Sequence, residues 1–130
     1  MEVTERRCPA RLAGVAVEVS RRRFERLVDR ALESVPRRLL DAADNLVVEV
    51  AEQNDDEPDL LGLYWGIALT ERGSDYTFAM PDTIYVYRRP LMELAEDEDD
   101  LEHEIRVTVV HELAHHFGID DERLHELGWD

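Results

Sequence analysis

Apolar residues recur at helical spacing in the first third of the chain. Phe24, Leu27, Val28, Ala31 and Leu32 share one face, behind Ser20, whose hydroxyl suits a helix N-terminus. This predicts an amphipathic helix over 21–34. Pro36 suits the first turn of a second, short helix ending near Asp44. The rhythm then changes. Residues 46–52 are rich in valine and predict a strand, and the polar stretch 54–59, with Pro58, predicts a turn. Residues 60–69 are apolar but hold Gly62 and Gly66, which predicts an extended segment bent at the glycines. After a turn at Gly73-Ser74-Asp75, residues 82–88 set Thr83, Tyr85 and Tyr87 against Ile84 and Val86, a strand pattern that Pro90 ends. The acidic run 93–100 leads into a long helix, about 99–117, closed by Gly118, and 121–127 predict a further helical turn or two. At the start, 1–13 look like a leader and 15–19 like a short strand. The division expected is a leader or short strand at 1–19 and a single domain at 20–130. Helices, then strands, then a helix, with no βαβ rhythm, point to the α+β class.

Composition narrows the function classes. A chain of 130 residues is one domain's length, and its single cysteine, Cys8, excludes an intrachain disulfide. No apolar run approaches a membrane span, and residues 1–11 lack the apolar core of a signal peptide, so a cytoplasmic protein without a membrane partner is expected. The net charge of −16 disfavours nucleic-acid binding, which needs a phosphate-neutralising surface, and favours basic partners. All 15 basic residues are arginine. The arginines of 21–30 are expected on a solvated helix face, paired with the acidic surface.

The chemistry is concentrated in His111-Glu112-Leu113-Ala114-His115. Four residues turn about 400° on a helix, so the two imidazoles stand about 40° apart on one face and can reach one ion. Glu112 lies about 60° from His115 by the same repeat, beside the ion without having to bind it. That is where a general base must stand to take a proton from an activated water. A catalytic zinc site needs a third protein ligand and one open position. Gly118 can take the left-handed conformation that ends a helix, after which the chain can reverse and present Asp121. The whole pattern, His111 to Asp121, is HExxHxxGxxD. Asp120 and His125 are alternative third ligands, and Asp121 is also placed to cap a following helical turn.

This pattern resembles that of the zincin metallopeptidases, with the metzincin spacing and aspartate in place of the third histidine. More closely, the chain resembles the bacterial mini-zincins, a minimal metallopeptidase-like family of about this length. The resemblance rests on 20–32 (SRRRFERLVDRAL), 60–66 (LLGLYWG), 81–90 (PDTIYVYRRP) and 109–128 (VVHELAHHFGIDDERLHELG). It implies a minimal zincin-like fold, with a small mixed sheet packed on the active-site helix and helices N-terminal to it. It also implies Zn2+ on His111, His115 and Asp121. The methionine turn of the larger metzincins has no counterpart, since Met1, Met80 and Met92 all precede Asp121.

The expected function is a zinc-dependent hydrolase, a metallopeptidase in which Glu112 activates the attacking water on a peptide or protein substrate. The second reading is a zincin-fold metal-binding interaction module without catalysis. Zincins place an edge strand beside the active-site helix, so substrate is expected along 82–88. Tyr64, Tyr85 and Tyr87 are candidate oxyanion donors, though packing is the simpler role for each. His103 and His116 are expected to be structural or exposed. Cys8 in Arg7-Cys8-Pro9 has only a faint likeness to a zinc-masking pro-segment cysteine.

Overall fold

The computed structural model describes residues 2–7, 17–35, 37–43, 46–66, 82–119, 122–123 and 126. In chain order the elements are β1 (Glu2–Arg7), α1 (Arg21–Glu33), α2 (Arg37–Ala42), β2 (Leu46–Ala51), β3 (Leu60–Gly66), β4 (Asp82–Tyr87), α3 (Arg88–Leu94) and α4 (Glu98–His116). Four strands make one mixed sheet in the order β1-β3-β4-β2. β1 and β4 run antiparallel to β3, whereas β2 runs parallel to β4. The fold is a small α+β zincin-like fold, with α1 and α4 packed against each other and α4 against the sheet.

Local chemistry accounts for the helix ends. The Ser20 hydroxyl accepts from the Arg23 amide at 3.1 Å and starts α1. Asp97 does the same for α4, accepting from Asp100 N at 2.8 Å, while Glu98, Asp99 and Asp100 in the first turn suit the positive end of the helix dipole. Ion pairs from Arg23 to Glu98 and from Arg30 to Glu102 (3.0 Å) tie the solvated flank of α1 to α4. Beneath them, Phe24, Leu27, Val28 and Ala31 of α1 meet Leu101, Ile105 and Val109 of α4, together with Leu61, Tyr64, Ile84 and Val86 from the sheet. Leu60, Leu63 and Tyr87 form a smaller cluster with Tyr85 and Ala51.

Several expectations need correcting. Residues 2–7, read as part of a leader, form the strand β1 on β3, because β3 offers them a complete ladder that sequence periodicity cannot reveal. Residues 17–19, read as the end of a short strand, are not extended in the sheet; 15 and 16 lie outside the described residues. The segment expected to be extended over 60–69 is the strand β3 over Leu60–Gly66, with 67–69 outside the described residues. Its pairing is irregular beside Gly62, where the register against β1 passes from Gly62 to Leu60. Pro90 does end β4, but by entering the first turn of a helix, α3, that the sequence reading lacked. An early-turn proline is tolerated there because the amide it removes has no intrahelical partner. Most consequentially, β4 is central, paired on one side to β3 and on the other to β2. A substrate strand cannot add to 82–88, since both sets of main-chain groups are already used. The turn expected at Gly73-Ser74-Asp75 lies outside the described residues. Among the described residues no helix is long and apolar enough to cross a membrane.

Candidate metal centre

The buried stripe of α4 runs Leu101, Ile105, Thr108, Val109, and then Glu112. The spacing that seats leucine and isoleucine against the sheet therefore carries a carboxylate into the same interface, one turn before the helix ends. Gly62 of β3 makes room for it. A Cβ at Gly62 would collide with the Thr108 methyl and lie 3.5 Å from Glu112 Cγ, so the missing side chain lets this face of α4 approach the strand. Glu112 is fully buried.

His111 and His115 flank this stripe. Their rings stand 5.0 Å apart, centroid to centroid, at 68° to each other. Two imidazoles bound to one tetrahedral zinc at about 2.0–2.1 Å per bond have centroids roughly 5 Å apart, so the observed pair fits a shared ion. His111 Nε2 lies 3.6 Å from Glu112 Oε1, which puts the carboxylate beside the place where such an ion would sit. His115 is 6 % exposed, and the His111 side chain is 13 % exposed, leaving the approach on the His111 side.

The end of the helix is built as the motif requires. Gly118 has φ 80°, the left-handed conformation that costs glycine nothing. Its amide donates to His115 O at 3.0 Å and the Ile119 amide to Ala114 O at 2.9 Å, the paired bonds of a Schellman cap. The chain thus leaves the helix immediately after the second imidazole. Asp121, with its alternatives Asp120 and His125, lies outside the described residues. Among the described residues no group of three His, Cys, Asp or Glu side chains converges as a metal site, and the described part holds two of the three residues expected to bind the ion, His111 and His115.

A second polar cluster lies on the sheet side of the same helical turn, and sequence reasoning missed it. His116 is fully buried, and its Nδ1 donates to Asp82 Oδ2 at 2.9 Å. The Tyr64 hydroxyl donates to the same oxygen at 2.5 Å. Gly66 provides the seat, since a Cβ there would overlap the Asp82 carboxylate. The three side chains come from β3, β4 and α4, separated by 18 and 34 residues in sequence, so no local pattern announces them. The only sequence signal was the doubled histidine, which is read more simply as structural. That reading of His116 agrees with its burial, while His103 is exposed, with Nδ1 3.2 Å from the Arg106 guanidinium.

Tyr87 and Tyr85 stack on the outer face of β4, with ring centroids 6.2 Å apart. Burial pushes the Tyr87 phenol above its ordinary range. A bond from Asn54 Nδ2 at 3.2 Å acts the other way, and the charges of Tyr85 and Glu112 add to the rise. Tyr64 is committed to Asp82. An apolar cleft of about 540 Å³ opens between Leu32, Leu40, Leu46, Val48 and Leu113; it shares only Leu113 with the HELAH segment, away from the two imidazoles.

No curated protein matches the chain significantly. The profile of one family does match, over residues 40–129, a span that takes in β2, β3, β4, α3 and the whole of α4 with its paired histidines. A match across more than half of the chain, on the elements that build this centre, establishes that the protein belongs to the zincin-like metallopeptidase family.

Proposed function

We propose that this protein is a zinc-dependent peptidase, with the metal held by His111, His115 and Asp121 and with Glu112 as general base. The observation that carries the reading is the placement of a fully buried carboxylate 3.6 Å from one member of a paired-imidazole site. Metal binding alone does not call for a glutamate there; deprotonating a water does. Family membership supports zinc as the ion, since zincin-like metallopeptidases generally bind it. Gly118 supports Asp121, because its left-handed conformation ends the helix three residues before that aspartate.

When bound, zinc supplies Lewis acidity, lowering the pKa of a coordinated water and polarising the scissile carbonyl. The chain's own residues do the rest. Glu112 accepts the proton of the attacking water and delivers it to the leaving amine. Its burial between α4 and Gly62 holds the carboxylate in one place, so little reorganisation accompanies the transfer. His111 and His115, fixed on one helical face, set the position of the water relative to that carboxylate. The acidic excess of the chain favours peptides with basic residues near the cut.

The test compares wild type with Glu112→Gln, which keeps the volume and removes the base. Zinc content and melting temperature should stay at the wild-type level, while the cleavage rate on a peptide library should fall by about 10²–10⁴-fold. His111→Ala should abolish tight zinc binding, and Asp121→Ala should weaken it far more than Asp120→Ala or His125→Ala. Loss of zinc in Glu112→Gln would make the glutamate a ligand and sink the mechanism. Zinc binding with no turnover in either protein would leave a metal-binding interaction module instead.

A further inference from the structure

We propose that Tyr64, Asp82 and His116 are positioning residues for the metal centre: the buried cluster they form fixes the rotation of the last turn of α4 and thereby aims His111 and His115. The inference rests on the zinc reading of those two histidines.

The cluster is an expensive way to fill a core. A buried carboxylate and imidazole give up hydration, and an apolar trio of similar volume often stabilises a fold as well or better. What the polar trio adds is direction. Apolar contacts such as those of Leu101 and Ile105 resist separation of helix from sheet but tolerate small rotations. A hydrogen bond weakens as its geometry departs from linear. His116 follows His115 directly, and its Nδ1 is bonded to Asp82 on β4, which in turn is bonded to Tyr64 on β3. The last turn of α4 is therefore pinned to two strands of the sheet.

The lever arm shows why this matters. Side chains reach about 5–6 Å from a helix axis, so a rotation of about 10° moves an imidazole by roughly 1 Å. Metal sites tolerate about 0.2 Å in ligand distance. Past Glu112 the apolar contacts before the Gly118 turn are those of buried Leu113 and Ala114 and partly buried Phe117, none of which carries the directionality of a hydrogen bond. His116 itself lies about 140° from His111 around the helix, toward the sheet, so it is not a further ligand to the same ion. Gly66 belongs to the device as well, because the Asp82 carboxylate occupies the space of its missing side chain.

The experiment uses the full chain as wild type, His116→Phe, His116→Asn and Tyr64→Phe. Each protein is assayed for folding by circular dichroism, zinc affinity by chelator competition, and the visible absorption of bound cobalt(II). Affinities are measured at a temperature where every protein is folded, so that lost stability does not enter. His116→Phe fills the space without a donor, and zinc affinity should fall about 10–100-fold, the usual contribution of outer partners, with a shifted cobalt band. His116→Asn places an amide nitrogen near the position of Nδ1 and should recover most of both. If His116→Phe does not fold, Tyr64→Phe, which keeps its ring, must by itself lower zinc affinity and shift the band. Wild-type affinity and an unchanged cobalt spectrum in the folded variants would overturn the inference, as would His116→Asn behaving like His116→Phe. If the wild type binds no stoichiometric zinc, the metal reading falls first and this inference with it.

Discussion

Glu112 shows how a single position can serve packing and chemistry together. It falls on the helical stripe of Leu101, Ile105 and Thr108, where hydrophobic burial would ordinarily select an apolar residue. A carboxylate is accommodated because Gly62 yields its side-chain volume to the helix. Gly62→Ala should therefore cost more than a typical strand substitution. Its Cβ must displace Thr108, and overpacking of this kind costs about 1–3 kcal/mol. Urea unfolding of the apo protein should show that loss, and zinc affinity should drop with it as α4 is pushed from the sheet. An alanine variant as stable as wild type would mean that the helix has slack at this point. The paired histidines and the glutamate were all legible in the sequence, because a helix converts spacing into direction without help from the rest of the fold. The positions of Gly62 and Gly66 were visible too, but not their purpose, which depends on what packs over them.

At the scale of elements, α4 is asymmetric. Its start is solvated and secured by Asp97 and by ion pairs to α1, whereas its end is buried and secured by the sheet. Asp97→Ala should cost about 1 kcal/mol, the usual value of an N-cap. It should leave zinc affinity unchanged, because the cap lies about four turns from His111 along a helix of 19 residues. Equal losses of stability and of metal affinity would show that α4 moves as one rigid rod. Other elements were less legible. α3 was hidden because Pro90 reads as a terminator, and only the backbone shows that it sits in a first turn. β1 was hidden because a strand of charged and polar residues has no apolar alternation; its place is given by the ladder of β3.

The molecule as a whole carries a net charge of −16, and raising the pH adds to it. Tyr87 makes the alkaline side specific. Its folded-state phenol titrates above the ordinary range because of burial, whereas in the unfolded chain it titrates near the usual value of about 10. The unfolded state thus loses its proton first. The contribution is fully present below about pH 10 and is lost as pH climbs from there toward the folded-state pKa. Tyr87→Phe should cost about 1 kcal/mol at neutral pH, through the lost bond from Asn54, and should flatten the decline in stability above about pH 10. Denaturant midpoints for the two proteins between about pH 8 and 11 test this. Parallel curves would mean that the alkaline loss comes from general charge repulsion alone.

What the sequence determined by itself was whatever depends on neighbours along the chain. This includes the helix caps at Ser20, the single-face placement of His111 and His115, the left-handed turn at Gly118, the α+β class and the family resemblance. Tertiary structure alone decided which strands are edges, so that β4 became central and unavailable to a substrate strand. It also decided that His116 would meet Asp82 and Tyr64. Local periodicity encodes direction about one axis, and it says nothing about which distant segment will occupy that direction. Residues 64, 82 and 116 come together only because β3, β4 and α4 share one interface, and that interface is set by the burial of the whole core.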